Sequence, residues 1–503
     1  MTATIAASFT DADGTSRLAC TAHHIAWHAR HTPNAAAIVE DGVTVSYRRL
    51  AADLIGCVRA LEARGIRPGM LAGIETPNRY AHLLILLACE VIGAASVSLT
   101  PPEADCDTDM ARHCDIVLAR QARTETSRTR VIPSGWPEGL AASAGPADDP
   151  SSLVREVVPE RMARIVRTSG TTGGTKAMAL SFALLQLRIA RGIARLPGHI
   201  LPRPRLLCLY GIGVAGMHMR VMSILQLGGT VTFAVGDQAR KLIATGAVNQ
   251  ALFTTGDLER FVPTAEPPPP GQAPHVLVFG AAVSPRLRAE VRRRLHAVID
   301  NPYAAIETDP IAMMGEDGTG TLCQGVEVRI VDGTGQEVGP DEGGTIRART
   351  ETMVEGYFDD SGLTATAFID GWYQTSDIGR MSARHRLEVL GRADEMLNIG
   401  GIKLPPAPIA ARVKQIDGVS DAIVMSVASP NEVGILLAAV EIGGDQLTVD
   451  VAQRIGAILA CHIGSFVIMP MRRFPRTDSG KIRRPEIEAA YRRCAPRDLI
   501  AVG

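Results

Sequence analysis

The segment Thr168-Ser169-Gly170-Thr171-Thr172-Gly173-Gly174-Thr175-Lys176 packs glycines, hydroxyls and one lysine into a single short turn. Such a turn can bring backbone N–H groups and Ser/Thr hydroxyls close to phosphate oxygens, because glycine lets the chain bend without a side chain in the way. Lys176 adds a mobile positive charge suited to a polyphosphate. A merely flexible surface turn would have the same composition, so other segments must decide. A Walker loop is excluded, since it needs Gly-Lys-Ser/Thr at its end, whereas Lys176 is flanked by Thr175 and Ala177. Gly480-Lys481 is followed by Ile482 and has no glycine-rich loop before it.

Four further segments carry residues able to do chemistry. Asn301-Pro-Tyr303-Ala-Ala-Ile-Glu307 offers an aromatic face that can stack on a purine and a carboxylate that can hold magnesium beside a triphosphate. Gly371-Trp372-Tyr-Gln-Thr375-Ser-Asp377 places a carboxylate just after a strand-like stretch, where it can accept from ribose hydroxyls or close an Asx-turn. In Gly391-Arg392-Ala-Asp394-Glu-Met-Leu-Asn-Ile-Gly400-Gly401-Ile-Lys403, Arg392 can fork onto phosphate or ribose oxygens, or form a surface salt bridge. Pro475-Arg-Thr477-Asp-Ser-Gly480-Lys481 presents a lysine on a turn, with a solvated basic face as the plainer reading.

The elements that must position these residues alternate along the chain. Tyr47 to Leu61 has helical spacing and ends at Gly65; Leu71–Ile74 reads as a strand, Leu83–Val91 as a helix, and Gly93-Ala94-Ala95 leads into another strand. That alternation marks a parallel sheet with crossover helices. It loosens between Pro101 and Pro159 and resumes at Ile165-Val166, the end of a buried strand. Strands are expected at Leu206–Leu209, Thr230–Ala234 and His275–Phe279, with a helix through Met217–Leu227 and a polyproline spacer at Glu266–Pro270. Gly325–Arg349 alternates as antiparallel strands do, and beyond Arg392 the texture becomes a smaller α+β unit. The fold class is α/β, with a domain break near Asp394 dividing residues 1–393 from 394–503.

At 503 residues the chain is too long for one core. With 46% hydrophobic and 21% charged residues it has the composition of a folded globular protein, and a net charge of −1 gives no electrostatic case for nucleic acid or an anionic membrane. Nine scattered cysteines without a C-x-x-C pair argue against disulfides or a zinc ribbon and fit a reducing cytosol. No signal peptide is visible, and the apolar run Leu83–Cys89 is too short to span a bilayer. A cytoplasmic protein is expected.

In register and in this order, the five segments resemble those of the adenylate-forming enzymes: acyl- and aryl-CoA synthetases, luciferases and nonribosomal-peptide adenylation domains. The resemblance covers nearly the whole chain, from Tyr47–Leu50 to Arg484. It implies a large N-terminal domain of layered sheets and helices and a small mobile C-terminal lid. It also implies ATP and Mg2+ as cofactors and a two-step reaction: a carboxylate attacks the α-phosphorus of ATP, and a thiol of CoA or phosphopantetheine then displaces AMP. Carried over position by position, Thr168, Ser169, Gly170, Thr171, Thr172, Gly173 and Lys176 would cradle the β- and γ-phosphates. Glu307 would hold the metal. Tyr303 would stack on adenine beside Gly280, Ala281 and Asn301. Asp377 would bind ribose, Arg392 would steady the nucleotide, and Lys481 would bridge the incoming carboxylate and the α-phosphate. Asp394 stands at the family's hinge.

Several positions depart from the family pattern. Thr175 stands for a common proline, and Ala304 and Ile306 stand for the glycine and threonine of Tyr-Gly-x-Thr-Glu. Ser376 replaces a glycine, Asn398 a common lysine, and Pro408 and Ala410 the two glutamates of Pro-x-Glu-Ile-Glu. The last group belongs to the lid face of the second half-reaction, so the acceptor stays open. The acid pocket is expected along Leu209–Leu227, which contains no Asp or Glu; a buried ammonium needs a counter-charge, which disfavours an α-amino acid. Gly211, Gly213 and Gly216 leave room for a flat or bulky acyl group, with Met217, Ala282 and Met313 as lining. An aryl or unsaturated acid is the first expectation. Any carrier protein must be separate, because no attachment site follows Lys481. The alternatives are AMP-forming chemistry with another partner (direct amide ligation, or nitrite activation to diazotise an aryl amine) and a catalytically inactive homologue.

Overall fold

Caps and apolar runs set the first elements in the computed structural model. It describes the chain apart from residues 1–7, 11–15, 100–107, 122–127, 132–148, 169–175, 394–395, 400–401, 405, 428–434, 444–446, 464–465, 477–481, 495–499 and 503. Helix α1 (Thr21–His31) leads to the hairpin β1 (Ala36–Glu40) and β2 (Val43–Ser46). Ser46 then caps helix α2 (Tyr47–Ala63), its side chain accepting from Arg49 N. After β3 (Leu71–Glu75), Asn78 caps α3 (Arg79–Ile92), which ends on Gly93 in the left-handed region at φ 78°. Every residue of α3 from Ala81 to Ile92 is buried. Each large apolar side chain there contributes about 1.5–3 kcal/mol of burial, so this helix is anchored on all faces.

The remaining strands of this unit are β4 (Ala95–Ser98), β5 (Ile116–Ala119), β6 (Thr129–Val131), β7 (Met162–Thr168) and β8 (Lys176–Ser181). Helix α4 (Phe182–Ala194) follows, then β9 (Arg205–Cys208), helix α5 (Ala215–Gln226), β10 (Thr230–Phe233), β11 (Gln250–Thr254), β12 (His275–Phe279) and β13 (Ile299–Asp300). They form two sheets, ordered β8-β7-β4-β3-β5-β6 and β13-β12-β11-β9-β10-β1-β2. Pairing is parallel throughout except for β7–β8 in the first and β1–β2 in the second. The crossover expectation holds. Within the stretch where the pattern loosens, Ile116–Ala119 is nonetheless a fully buried strand.

By internal packing the chain divides into two units: Met1–Ala281 with Val291–Pro310 and Thr350–Tyr373, and Ala282–Glu290 with Ile311–Arg349 and Gln374–Gly503. The expected break residue, Asp394, lies outside the described residues. Mostly within the second unit, strands β14 (Asp309–Met314), β15 (Thr319–Leu322), β16 (Val326–Val331), β17 (Gly344–Thr350), β18 (Trp372–Met381) and β19 (Arg386–Arg392) run in the order β14-β15-β19-β18-β17-β16. Asp377 corrects one expectation, because it sits inside β18 rather than after a strand. Its ladder pairing with Arg392 of β19 carries the strand past this point, while buried Thr375 donates from Oγ to Ile346 O at 3.0 Å and accepts from Asp377 N at 3.1 Å.

The C-terminal part has its own core. Helix α6 (Pro406–Val413) and helix α7 (Val449–Ala460) pack on a sheet of β20 (Val419–Val427), β21 (Ile435–Ile442), β22 (Phe466–Met471) and β23 (Ile500–Val502). Ile409, Val413, Val424, Leu436, Val440, Ile455 and Ile468 fill that core.

Candidate active site

The strand before the glycine-rich turn and the strand after it are antiparallel partners, with Lys176 directly opposite Thr168. The turn is therefore the connection of a strand pair, not the strand-to-helix junction of a Walker loop. Ser169, Gly170, Thr171, Thr172 and Gly173 lie outside the described residues, as does the side chain of Thr168.

Lys176 reaches inward from the start of β8. Its Nζ lies 3.4 Å from Tyr357 Oη and 5.1 Å from the centroid of that ring. Tyr357 Oη in turn donates to Glu307 Oε1 at 2.7 Å. Tyr373 shares hydrogen bonds with both Tyr357 and Glu307. Burial, then the neighbouring Glu307 carboxylate, push both phenols well above their ordinary range, so they remain donors. A cation, two phenols and one buried carboxylate thus converge from sequence positions 176, 307, 357 and 373.

A buried arginine holds the backbone beneath Glu307. Arg188 of α4, 2% exposed, donates from Nε and Nη2 to Thr352 O at 2.9 and 2.7 Å, from Nη1 to Ile306 O at 2.9 Å and from Nη2 to Glu307 O at 3.1 Å. Glu307 O also accepts from Val354 N at 2.9 Å, and Thr352 Oγ donates to Thr308 O at 2.7 Å. The carboxylate is therefore mounted on a cross-linked turn. Sequence reasoning missed Tyr357, Tyr373 and Arg188. The Gly356-Tyr357 pair was a visible signal for the first; nothing local marks the other two.

Tyr303 is half-buried in the short strand Pro302–Ala305, which packs beside β12. Asn301 is a staple there, its Nδ2 donating to Val278 O at 2.9 Å and Ala281 O at 3.1 Å. This fixes the exposed end of β12 at Gly280 and Ala281. Gly280 has φ 94° and open space where a Cβ would stand, which suits the close approach of a flat ring. In the second unit, Asp377 and Arg392 are direct cross-strand partners of β18 and β19 and so project to one side.

Of the expected acid-pocket residues, Gly211, Gly213, Gly216 and Ala282 are exposed and Met313 is half-buried. Met217 is fully buried in the main core together with Met222. Asp394 and Lys481 lie outside the described residues. Among the described residues, no group of three or more His, Cys, Asp or Glu side chains could hold a metal ion. Glu307, one carboxylate with one oxygen already accepting from Tyr357, fits a magnesium ion that takes most of its ligands from phosphates and water.

A family model for AMP-binding enzymes matches residues 25–358. The chain belongs to the AMP-binding enzyme family. It is an adenylate-forming, AMP-forming ligase, and its layered α/β architecture is that of the family. It is 25% identical over 530 aligned positions to the 2-hydroxy-7-methoxy-5-methyl-1-naphthoate–CoA ligase of Streptomyces carzinostaticus, covering 93% of this chain and 92% of that one. It is also 25% identical over 524 positions to a salicylyl-CoA synthase / salicylate adenylyltransferase of a Streptomyces species, covering 91% of each. Apo MatB from Rhodopseudomonas palustris shares the fold, with a TM-score of 0.77 at 20% identity over 93% of this chain and 99% of that one.

Proposed function

We propose that the protein joins an aryl or unsaturated carboxylic acid to AMP at the expense of ATP, releasing pyrophosphate, and then passes the acyl group to a thiol. The observation that carries this reading is the chain Lys176–Tyr357–Glu307, set where Lys176 faces Thr168 across β7 and β8. A carboxylate oxygen of the acid attacks the α-phosphorus, and the bond to pyrophosphate breaks. Little covalent help is needed, so positioning and charge neutralisation carry the rate. Thr168, the hydroxyls of Ser169, Thr171 and Thr172, and Lys176 neutralise the β- and γ-phosphates. Magnesium at Glu307 would add its positive charge beside them. Tyr303 and the exposed Gly280–Ala281 edge take the adenine, Asp377 the ribose hydroxyls, and Arg392 steadies the nucleotide. Lys481 brings together the acid carboxylate and the α-phosphate, two anions that repel.

The acceptor in this reading is CoA or the phosphopantetheine of a carrier protein. The relatives named for naphthoate and salicylate CoA ligation support both the aryl acid and the thiol. Residues 394–503 would act as a lid hinged at Asp394, exchanging Lys481 for the Gly400-Gly401 turn between the half-reactions. Limited proteolysis should nick the chain near residue 394, and first cleavage far from it would count against that boundary. A cytoplasmic location is part of this reading; the eight described cysteines are free thiols, and no described helix is long and apolar enough to cross a membrane.

Pyrophosphate release across a panel of aryl acids, acyl acids, amino acids and nitrite tests the whole reading. Acid-dependent release followed by thiol-dependent AMP formation is the expected result. Release with nitrite alone, or an amine replacing the thiol, would overturn the carboxylate–thiol assignment. Silence with every acid would mean an inactive homologue.

A further inference from the structure

Arg164 of β7 is 1% exposed, yet no carboxylate pairs with it among the described residues. Burial pulls its guanidinium only down to about 10, so it stays charged at neutral pH. Its Nη2 donates to Ser98 Oγ at 3.0 Å and its Nη1 more weakly to Ser96 Oγ at 3.4 Å, while its Nε has no partner. Ser98 Oγ also lies 2.9 Å from His82 Nε2. His218, in the first turns of α5, is 4% exposed, feels both Arg164 and His82, and leaves Nδ1 without a partner. A buried cation balanced only by neutral dipoles is costly unless an anion completes it.

The cluster opens toward the expected acid pocket. Ser98 is its half-exposed member, and Gly213 is exposed beside it. A Cβ on Gly213 would stand 3.2 Å from Ser98 Cβ and 3.9 Å from His82 Cε1. The missing side chain therefore keeps the approach to Ser98 clear. When His82 carries its proton on Nε2, Ser98 Oγ accepts from both Arg164 and His82, and its own hydrogen is left for a ligand oxygen. The register Ser96↔Arg164 and Val97↔Ile165 sets Ser98 level with Val166, two residues short of Thr168. Ser98 thus lies roughly 7 Å along the strand from the expected phosphate end, on the same sheet as the loop that would hold the nucleotide.

We infer that Ser98, backed by Arg164, His82 and His218, forms the far end of the acid pocket and binds a second carboxylate on the substrate, so that the preferred acid is a dicarboxylate. This rests on the adenylation reading above and narrows its substrate class.

The test uses the purified full-length chain with succinate, adipate, isophthalate and terephthalate, each against its monomethyl ester. Pyrophosphate release and the unfolding midpoint are measured for wild type, Arg164→Met and Ser98→Ala. The expected result is a kcat/KM at least tenfold higher for one diacid than for its ester, with that ratio falling at least tenfold in both variants. The Arg164→Met midpoint should equal or exceed that of wild type, because an unpaired buried charge has been removed. A wild-type ratio near one for every pair would overturn the inference. So would an Arg164→Met protein that unfolds earlier while Ser98→Ala keeps the full ratio, since Arg164 would then be a structural residue. If no acid releases pyrophosphate, the adenylation reading fails by itself. A diacid-induced midpoint rise seen in wild type and lost in Ser98→Ala would still support the subsite, and its absence would remove it.

Discussion

Replacing Tyr357 by phenylalanine removes one oxygen and nothing else. That oxygen donates to Glu307 Oε1 at 2.7 Å and accepts from Lys176 Nζ at 3.4 Å. The phenol is 7% exposed and the carboxylate 5%, so water cannot easily replace the lost donor. A hydrogen bond to a buried charge contributes about 1.5–3 kcal/mol. Tyr373 still donates in the variant, so the low end applies, about 1.5 kcal/mol in urea unfolding. If the same contact orients Glu307 during adenylation, kcat/KM for pyrophosphate release falls roughly tenfold. A double-mutant cycle with Glu307→Gln isolates the pair and should return a coupling of about 1 kcal/mol. Burial and the Glu307 carboxylate keep the phenol protonated, so the pH–rate profile of Tyr357→Phe should keep the wild-type shape. An unchanged rate and stability, or an effect equally large in the Glu307→Gln background, would refute the relay.

Arg188→Met should cost about 2–4 kcal/mol in urea unfolding, because the carbonyls of Thr352, Ile306 and Glu307 each lose a buried donor; a loss below about 0.5 kcal/mol would show that the turn does not depend on it. Glu90, which accepts from Ala22 N at 2.9 Å, is raised by burial from 4.5 to about 7. Such an acid keeps its proton in the folded protein, so its contribution is complete below about 4.5 and is lost as pH rises through about 7. Glu90→Gln should therefore gain on wild type by about 3 kcal/mol between pH 4.5 and 8; a pH-independent difference between the two would contradict the shift. Lys481→Ala should abolish acid-dependent pyrophosphate release while leaving ATP affinity, read by calorimetry, within a few-fold; near-normal release would remove Lys481 from the reaction.

Local chemistry carried much of the fold into the sequence. Helix α2 announced itself by the spacing of its apolar residues and its Gly65 stop, and α3 by the apolar run from Leu83 to Val91. These signals act over a few residues, so no distant contact was needed to read them. Ile116–Ala119 escaped because four buried residues are too short a run to declare a period. Asp377 was placed just past its strand because what holds it in β18, the ladder pairing with Arg392, comes from fifteen residues further along the chain.

The order of the five motifs, the lack of acids in Leu209–Leu227 and the family they mark were all determined by the sequence alone. Which residues meet was decided by the tertiary structure. Lys176, Tyr357, Tyr373 and Glu307 come together only when β8 and the turns after Pro302 and Thr350 pack against one another. Arg188 supports Glu307 from 119 positions away, and Arg164 has no carboxylate partner among the described residues only because folding buries it away from them. Caps and periods are properties of neighbouring residues, whereas desolvation and charge pairing depend on everything the fold brings within a few ångströms.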